Sequence, residues 1–151
     1  MRETEKICHL FDDLQQGDCW IGVNMRQVLE GVSNSTAAQK LHEKGNCIWQ
    51  LVNHIIYWRK TVMIRLQGKN AQPPMPDMYL PDQPDDTSWQ TTLAHFEEVY
   101  RQLHQMIIGF DESALDKASP MKGQTYYQLL MGCLQHDAYH MGQIQLIKKA
   151  L

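Results

Sequence analysis

Four stretches of the chain carry apolar residues at the spacing of one face of an α-helix. Repeats of three, four and seven residues predict helices over about residues 3–16, 36–66, 85–109 and 124–149, the second of them about eight turns long. Between the first two, glycines beside a short apolar pair favour no more than a short helical turn. No stretch shows the alternation of apolar and polar residues that is typical of a half-buried strand.

These apolar faces define the candidate core. Their members are Ile7, Leu10, Phe11 and Leu14 in the first helix, Leu41, Ile48, Leu51, Ile55, Trp58 and Val62 in the second, Trp89, Leu93, Phe96, Tyr100, Leu103 and Ile107 in the third, and Leu129, Cys133, Ile144 and Ile147 in the fourth. Four amphipathic helices predict an all-α, four-helix bundle. A length of 151 residues fits one domain that spans positions 1–151.

The connection between the second and third main helices is rich in proline. Five of the six prolines lie between Pro73 and Pro84. Because proline lacks a backbone N–H and fixes φ, this segment is predicted to be a long loop. Loops of this length often cover a site or brace an interface, and a tether between two distant helix ends is the alternative.

Charge and composition limit the classes of partner and the location that we expect. Fourteen Lys and Arg against seventeen Asp and Glu give a net charge of -3, so nucleic acid is not expected as the main partner. No apolar run reaches the roughly 18 residues that a membrane span requires. The first residues do not resemble a secretory signal, and the four cysteines contain no CxxC, so we expect a cytoplasmic protein with free thiols.

Three of the seven histidines are candidates for chemistry. His136 and His140 are four residues apart and interrupt the apolar face of the fourth helix, and His54 lies on that of the second. Inward imidazoles from two helices match a metal site with three protein ligands and one position open for water or substrate. A lone inward His54 that forms an ordinary core hydrogen bond is the alternative. The remaining histidines are expected to face solvent or an interface, namely His9, His42, His95 and His104.

Two other metal chemistries are excluded by spacing. The string HDAYH is similar to the HExxH motif of zinc proteases, with Asp137 in place of glutamate. Gln143 and Leu146 stand where a metzincin needs a glycine and a third histidine, and the chain is too short for the downstream glutamate of a gluzincin. The two Glu-x-x-His motifs of a di-iron bundle are absent, so one metal ion is preferred over two.

Three further side chains share the faces of the candidate ligands. Gln143 lies about one turn from His140, where it would orient that imidazole, contact a substrate, or form a plain interhelical hydrogen bond. Cys47 and Cys133 are candidate soft ligands or nucleophiles, although buried free cysteine more often behaves as a small hydrophobe. The sequence identifies no general base.

The strings NHIIYWR on the second helix and HDAYHMGQIQLIKK near the C-terminus resemble the DinB/YfiT-like superfamily of bacterial four-helix bundles. The resemblance covers nearly the whole chain in element order. It implies one divalent metal ion, nickel or zinc, held by His54, His136 and His140, and it implies a homodimer. The reactions it implies are a thiol-dependent transfer, of the bacillithiol or mycothiol type, or a hydrolysis of a small molecule.

A metal held by three histidines suits both reactions. It would stabilise the thiolate of a low-molecular-weight thiol cosubstrate, or lower the pKa of a bound water molecule. The resemblance narrowly favours thiol transfer. The competing hypothesis is a non-catalytic dimeric bundle that serves as a stress-response or binding module, with a structural metal or none.

Overall fold

The computed structural model describes residues 1–151 and contains six α-helices and no strand, so the all-α prediction is confirmed. The helices are α1 (Glu3–Gln15), α2 (Met25–Leu29), α3 (Asn34–Ala38), α4 (Ile48–Leu66), α5 (Asp86–Ile108) and α6 (Tyr126–Ala150). A 3-10 turn over Glu112–Ala114 follows α5. No helix combines the length and the apolar character that crossing a bilayer requires.

The long second helix that the spacing predicts from residue 36 begins later in the structure. Its first turns are replaced by the short α3 and an irregular segment, and α4 begins at Ile48 with Cys47 as its N-cap. The irregular segment contains Gly45 and one large apolar side chain, Leu41, which is 43% exposed. The prediction that the second helix begins at residue 36 is therefore wrong. The spacing from Leu41 to Ile48 fits a helix, but a single exposed apolar residue does not bury enough surface to stabilise two further turns.

Four long helices pack on one another in pairs. α4 contacts α5 and α6, and α1 contacts the same two helices. Between α4 and α5, the rings of Trp49 and Trp89 lie 5.0 Å apart at their centroids. Trp49 Nε1 donates to Thr92 Oγ1 over 3.0 Å, and Trp89 Nε1 donates to the carbonyl of Val32 over 2.8 Å. These buried indoles therefore satisfy their polar atoms while they join α4, α5 and the segment before α3.

The proline-rich connection between α4 and α5 contains no helix and lies along α4. Asn53 Nδ2 donates to the carbonyl of Tyr79 over 2.7 Å, and Gln50 Nε2 donates to the carbonyl of Met78 over 3.3 Å. Asn53 is 5% exposed, so its hydrogen bond is protected from water. Gln50 and Asn53, in the first two turns of α4, thus hold the connection against that helix.

Candidate metal centre

The structure brings the three candidate histidines together. His54 extends from α4 and His136 and His140 extend from α6, and one ring nitrogen of each lies within 4.8 Å of those of the others. The Nε2 atoms of His54 and His136 are 3.1 Å apart, and the ring centroids of His54 and His140 are 4.5 Å apart. His140 is buried and the other two are half-buried, so the cluster lies at the margin of the core.

In two of the imidazoles, Nδ1 contacts a side-chain oxygen of a residue outside the cluster. His54 Nδ1 lies 2.6 Å from Asp77 Oδ1, in the proline-rich connection. His140 Nδ1 lies 2.6 Å from Gln143 Oε1, one turn along α6. Metal-binding histidines commonly donate their second ring nitrogen to such an acceptor, which sets the tautomer and the ring orientation. Both contacts leave Nε2 to face the centre of the cluster.

The third imidazole faces a buried carboxylate. His136 Nδ1 lies 3.6 Å from Asp137 Oδ1, and neither atom has a hydrogen-bond partner although both are buried. The other oxygen of Asp137 accepts from Arg59 Nε over 2.8 Å, and Arg59 Nη2 donates to Gln15 Oε1 over 2.8 Å. Asp137 is thus anchored by α4 and α1 while its free oxygen faces His136, which suits a proton on His136 Nδ1.

These contacts test whether the cluster fits a metal. In the neutral tautomer that carries its proton on Nδ1, as the contacts with Asp77 and Asp137 favour, each Nε2 of His54 and His136 carries a lone pair. Two lone pairs 3.1 Å apart repel each other unless a cation lies between them. Two nitrogens at about 2.0–2.1 Å from a tetrahedral zinc ion would be roughly 3.3 Å apart. The donor set and its spacing therefore fit a divalent cation.

Burial keeps the most enclosed imidazole neutral. Loss of solvation lowers the pKa of His140, and the nearby His136 and His54 lower it further, against the opposing effects of Gln143 and Asp137. Only a neutral imidazole offers a lone pair to a metal. His140 therefore stays neutral, and able to bind a metal, at a lower pH than a solvent-exposed histidine would.

The two cysteines that share these faces are not part of the cluster. Both are buried, and burial raises the pKa of Cys47 and, together with the nearby Asp137 carboxylate, raises that of Cys133 well above its usual value. A reactive cysteine needs a lowered pKa because the thiolate is the nucleophile and the metal ligand. The structure therefore favours the interpretation of both as small buried hydrophobes.

The other four histidines also lie outside the cluster. His9 and His42 are exposed, and His95 and His104 are half-buried. His104 Nε2 lies 3.3 Å from Asp12 Oδ2, across the contact between α5 and α1.

Sequence reasoning did not single out the two carboxylates beside the cluster for orienting roles. Asp77 lies 23 residues from His54, in a segment that was notable only for its prolines. For Asp137 the sequence offers only a likeness to the glutamate of zinc proteases. The pattern offers one weak signal, since Asp137 lies at helical spacing from Cys133 and Ile144 on the apolar face of the last helix. A charge in that position requires a buried partner, which the structure provides in Arg59.

A family model described as the DinB superfamily matches residues 22–144. The matched range contains α4, α5, most of α6 and all three clustered histidines. A search of the curated proteins found no match. Because the family model covers well over half of the chain, this protein belongs to the DinB superfamily.

Proposed function

We propose that His54, His136 and His140 bind one divalent metal ion, nickel or zinc, which acts on a small-molecule substrate. The observation that carries the proposal is the pair of facing Nε2 atoms, 3.1 Å apart, on imidazoles whose Nδ1 atoms face oxygen acceptors. Imidazole ligands suit both metals. Three protein ligands leave a coordination position for a substrate.

We favour a thiol-dependent S-transferase of the bacillithiol type over a metal-dependent hydrolase. When bound, the ion would stabilise the thiolate of a low-molecular-weight thiol, or lower the pKa of a water molecule. Asp77 is engaged with His54, and Asp137 is engaged with Arg59. Each carboxylate makes these contacts through one oxygen, and the narrow preference for the thiol reaction comes from the family resemblance alone. In this proposal Asp77, Asp137 and Gln143 orient the imidazoles and do not touch the substrate.

We also propose that the chain is a single domain and a four-helix bundle formed by α1, α4, α5 and α6. One cluster of buried apolar residues includes members of all four helices, which supports this view. A homodimer is supported by two apolar side chains on α6, Tyr139 and Leu146, that are 65% and 68% exposed. Sedimentation of the purified protein tests the dimer, because a monomer mass at micromolar concentration would contradict it.

Elemental analysis of the purified protein tests the metal site. We expect about one nickel or zinc ion per chain, as three histidine ligands imply. His54→Ala is expected to lose the ion with little change in the melting temperature of the metal-free protein, because the ring is only half-buried. His104→Ala, a half-buried histidine outside the cluster, is the matched control and should retain the ion. A severe loss of fold in His54→Ala relative to the metal-loaded wild type would instead favour a structural metal.

A conjugation screen then separates the transferase from the non-catalytic alternative. A bimane electrophile is offered with several small thiols, with and without added nickel or zinc. The proposal expects metal-dependent conjugation that His54→Ala abolishes. A metal-loaded protein that conjugates no thiol would favour a dimeric bundle that serves as a binding or stress-response module.

A further inference from the structure

A cavity of about 180 Å³ opens beside the histidine cluster, between α4 and α6. His136 lines it, together with Trp58 and Arg65 from α4 and Gly132 from α6. Pockets for drug-sized ligands have volumes of about 300–1,000 Å³. This cavity is smaller, so it fits a short molecule or one arm of a longer one. Of the three clustered histidines, His136 alone is in its lining.

Arg65 is the unusual side chain in this cavity. Its Nε is buried and has no hydrogen-bond partner. The chain has five arginines, and the other four each pair with a carboxylate: Arg2, Arg26, Arg59 and Arg101. This Nε has lost hydration and gained no hydrogen-bond partner in return. A planar carboxylate would satisfy it with two parallel hydrogen bonds.

Trp58 connects Arg65 to the cluster. The Arg65 Cζ atom lies 5.6 Å from the centroid of the Trp58 ring, in a cation–π contact. The same ring lies 5.7 Å from that of His136. The Trp58 ring is therefore adjacent to both the guanidinium of Arg65 and the imidazole of His136.

We propose that this cavity binds the carboxylate of a small organic acid, with Arg65 as the carboxylate-binding residue and the reacting atom of the ligand at the histidine cluster. The position of the reacting atom rests on the proposed metal site, whereas carboxylate binding rests on the cavity and on Arg65 alone. An acidic thiol cosubstrate and an acidic electrophile would both present this group. The chemistry they share is the carboxylate.

Two thiols that differ only in their charged end test the inference. The zinc-loaded protein is titrated by calorimetry with 3-mercaptopropionate and with 3-mercaptopropanol. A charge-assisted pair of hydrogen bonds should make the carboxylate bind about tenfold more tightly than the alcohol. Arg65→Gln should remove this preference and Arg65→Lys should retain part of it. Propionate, which lacks the thiol, should compete with 3-mercaptopropionate, because carboxylate binding does not depend on the sulfur.

Two glycines of α6 supply a matched pair of variants. A Cβ at Gly132, which lines the cavity, or at Gly142, which does not, meets no heavy atom within 4 Å, and both positions are exposed. Gly132→Leu should weaken the binding of both thiols because it narrows the cavity. Gly142→Leu should leave both affinities unchanged. Equal weakening by the two variants would place the ligand outside this cavity.

Equal affinity of the wild type for the two thiols would overturn the proposal, as would a preference that survives in Arg65→Gln. The melting temperatures of Arg65→Gln and Arg65→Lys verify that both variants fold. A protein that binds neither zinc nor nickel would contradict the proposed function and leave the cavity to be tested by itself. Propionate and propanol are then compared on the metal-free protein by nuclear magnetic resonance. Shifts at Gly132 with propionate alone, lost in Arg65→Gln, would support the inference, and their absence would overturn it.

Discussion

Asp137 is a buried charge with two neighbours of different kinds. Its side chain is fully buried, its Oδ2 accepts from Arg59, and its Oδ1 faces His136. The Arg59 guanidinium also lies over the ring of Phe96, with its Cζ 4.8 Å from the centroid. A buried ion pair gives little net stability over an apolar pair, but either ion left alone is costly. The pair therefore constrains which single substitutions the core tolerates.

Removal of one member of this pair should be strongly destabilising. Asp137→Ala leaves Arg59 charged and buried, and we expect the free energy of unfolding to fall by about 3–5 kcal/mol. Urea denaturation of the metal-free protein measures this change. The double variant Arg59→Met/Asp137→Leu should recover much of the loss, because it leaves no unpaired charge. A loss below about 1 kcal/mol in the single variant would contradict a fully desolvated pair.

Thiol labelling tests the assignment of the cysteines. Cys8, Cys47 and Cys133 are buried, and burial raises the pKa of each, that of Cys8 to about 11. The native protein should therefore react quickly at Cys19 alone, the half-buried cysteine, when treated with a disulfide reagent near neutral pH. The other three should react only after denaturation. Fast labelling of Cys133 in the native protein would revive it as a candidate nucleophile.

Among the elements, the proline-rich connection between α4 and α5 places a carboxylate beside the histidine cluster. It carries Asp77 to His54, and α4 holds it there through the hydrogen bond from Asn53 to Tyr79. Met78 has a positive φ of 50°, which an L-residue adopts only at some cost. A plain tether between helix ends would require neither the strained residue nor the buried amide. The geometry therefore favours a connection that positions a side chain at the cluster.

Asp77→Asn tests this role of the connection. The substitution weakens the acceptor for His54 Nδ1, and loss of such a partner typically lowers metal affinity by about 10- to 100-fold. We expect that change in a competition titration with a zinc chelator. The melting temperature of the metal-free protein should change little, because Asp77 is exposed. Asp82→Asn, an exposed aspartate of the same connection, is the control and should bind zinc as the wild type does.

At the scale of the whole molecule, buried histidines couple folding to pH. Burial lowers the pKa of His140 and of His95, and the nearby Lys60 contributes to the shift of His95. Between the ordinary pKa of 6.5 and these lower native values, the unfolded chain binds more protons than the folded one. Their contribution to stability is therefore present above the ordinary pKa and is lost as the pH falls through the native values.

We accordingly expect the urea midpoint of the metal-free protein to fall between about pH 7.5 and pH 5.5. The double variant His95→Gln/His140→Gln should show a shallower dependence, because neither position then binds a proton. A wild-type midpoint that rises over the same interval would contradict the sign of the effect.

The sequence by itself determined the class of the elements and the family. Helical class follows from the periodicity of apolar residues, a local property, and the strings around His54 and His136 identified the DinB superfamily, which the family match confirms. The same periodicity predicted that the three histidines face inward, and the structure groups them. Metal binding by these residues and an orienting role for Gln143 stay predictions.

Only the tertiary structure decided which distant groups meet the histidines. Asp77 reaches His54 across 23 positions and Arg59 reaches Asp137 across 78, contacts that depend on how the helices and the connection pack. The start of α4 also depends on tertiary packing. Leu41 matches the helical spacing, but it is exposed and α4 begins only at Ile48. Periodicity tells which face of a helix is buried, because that depends on neighbours within a few turns. The partner on the other side of that face depends on the whole chain.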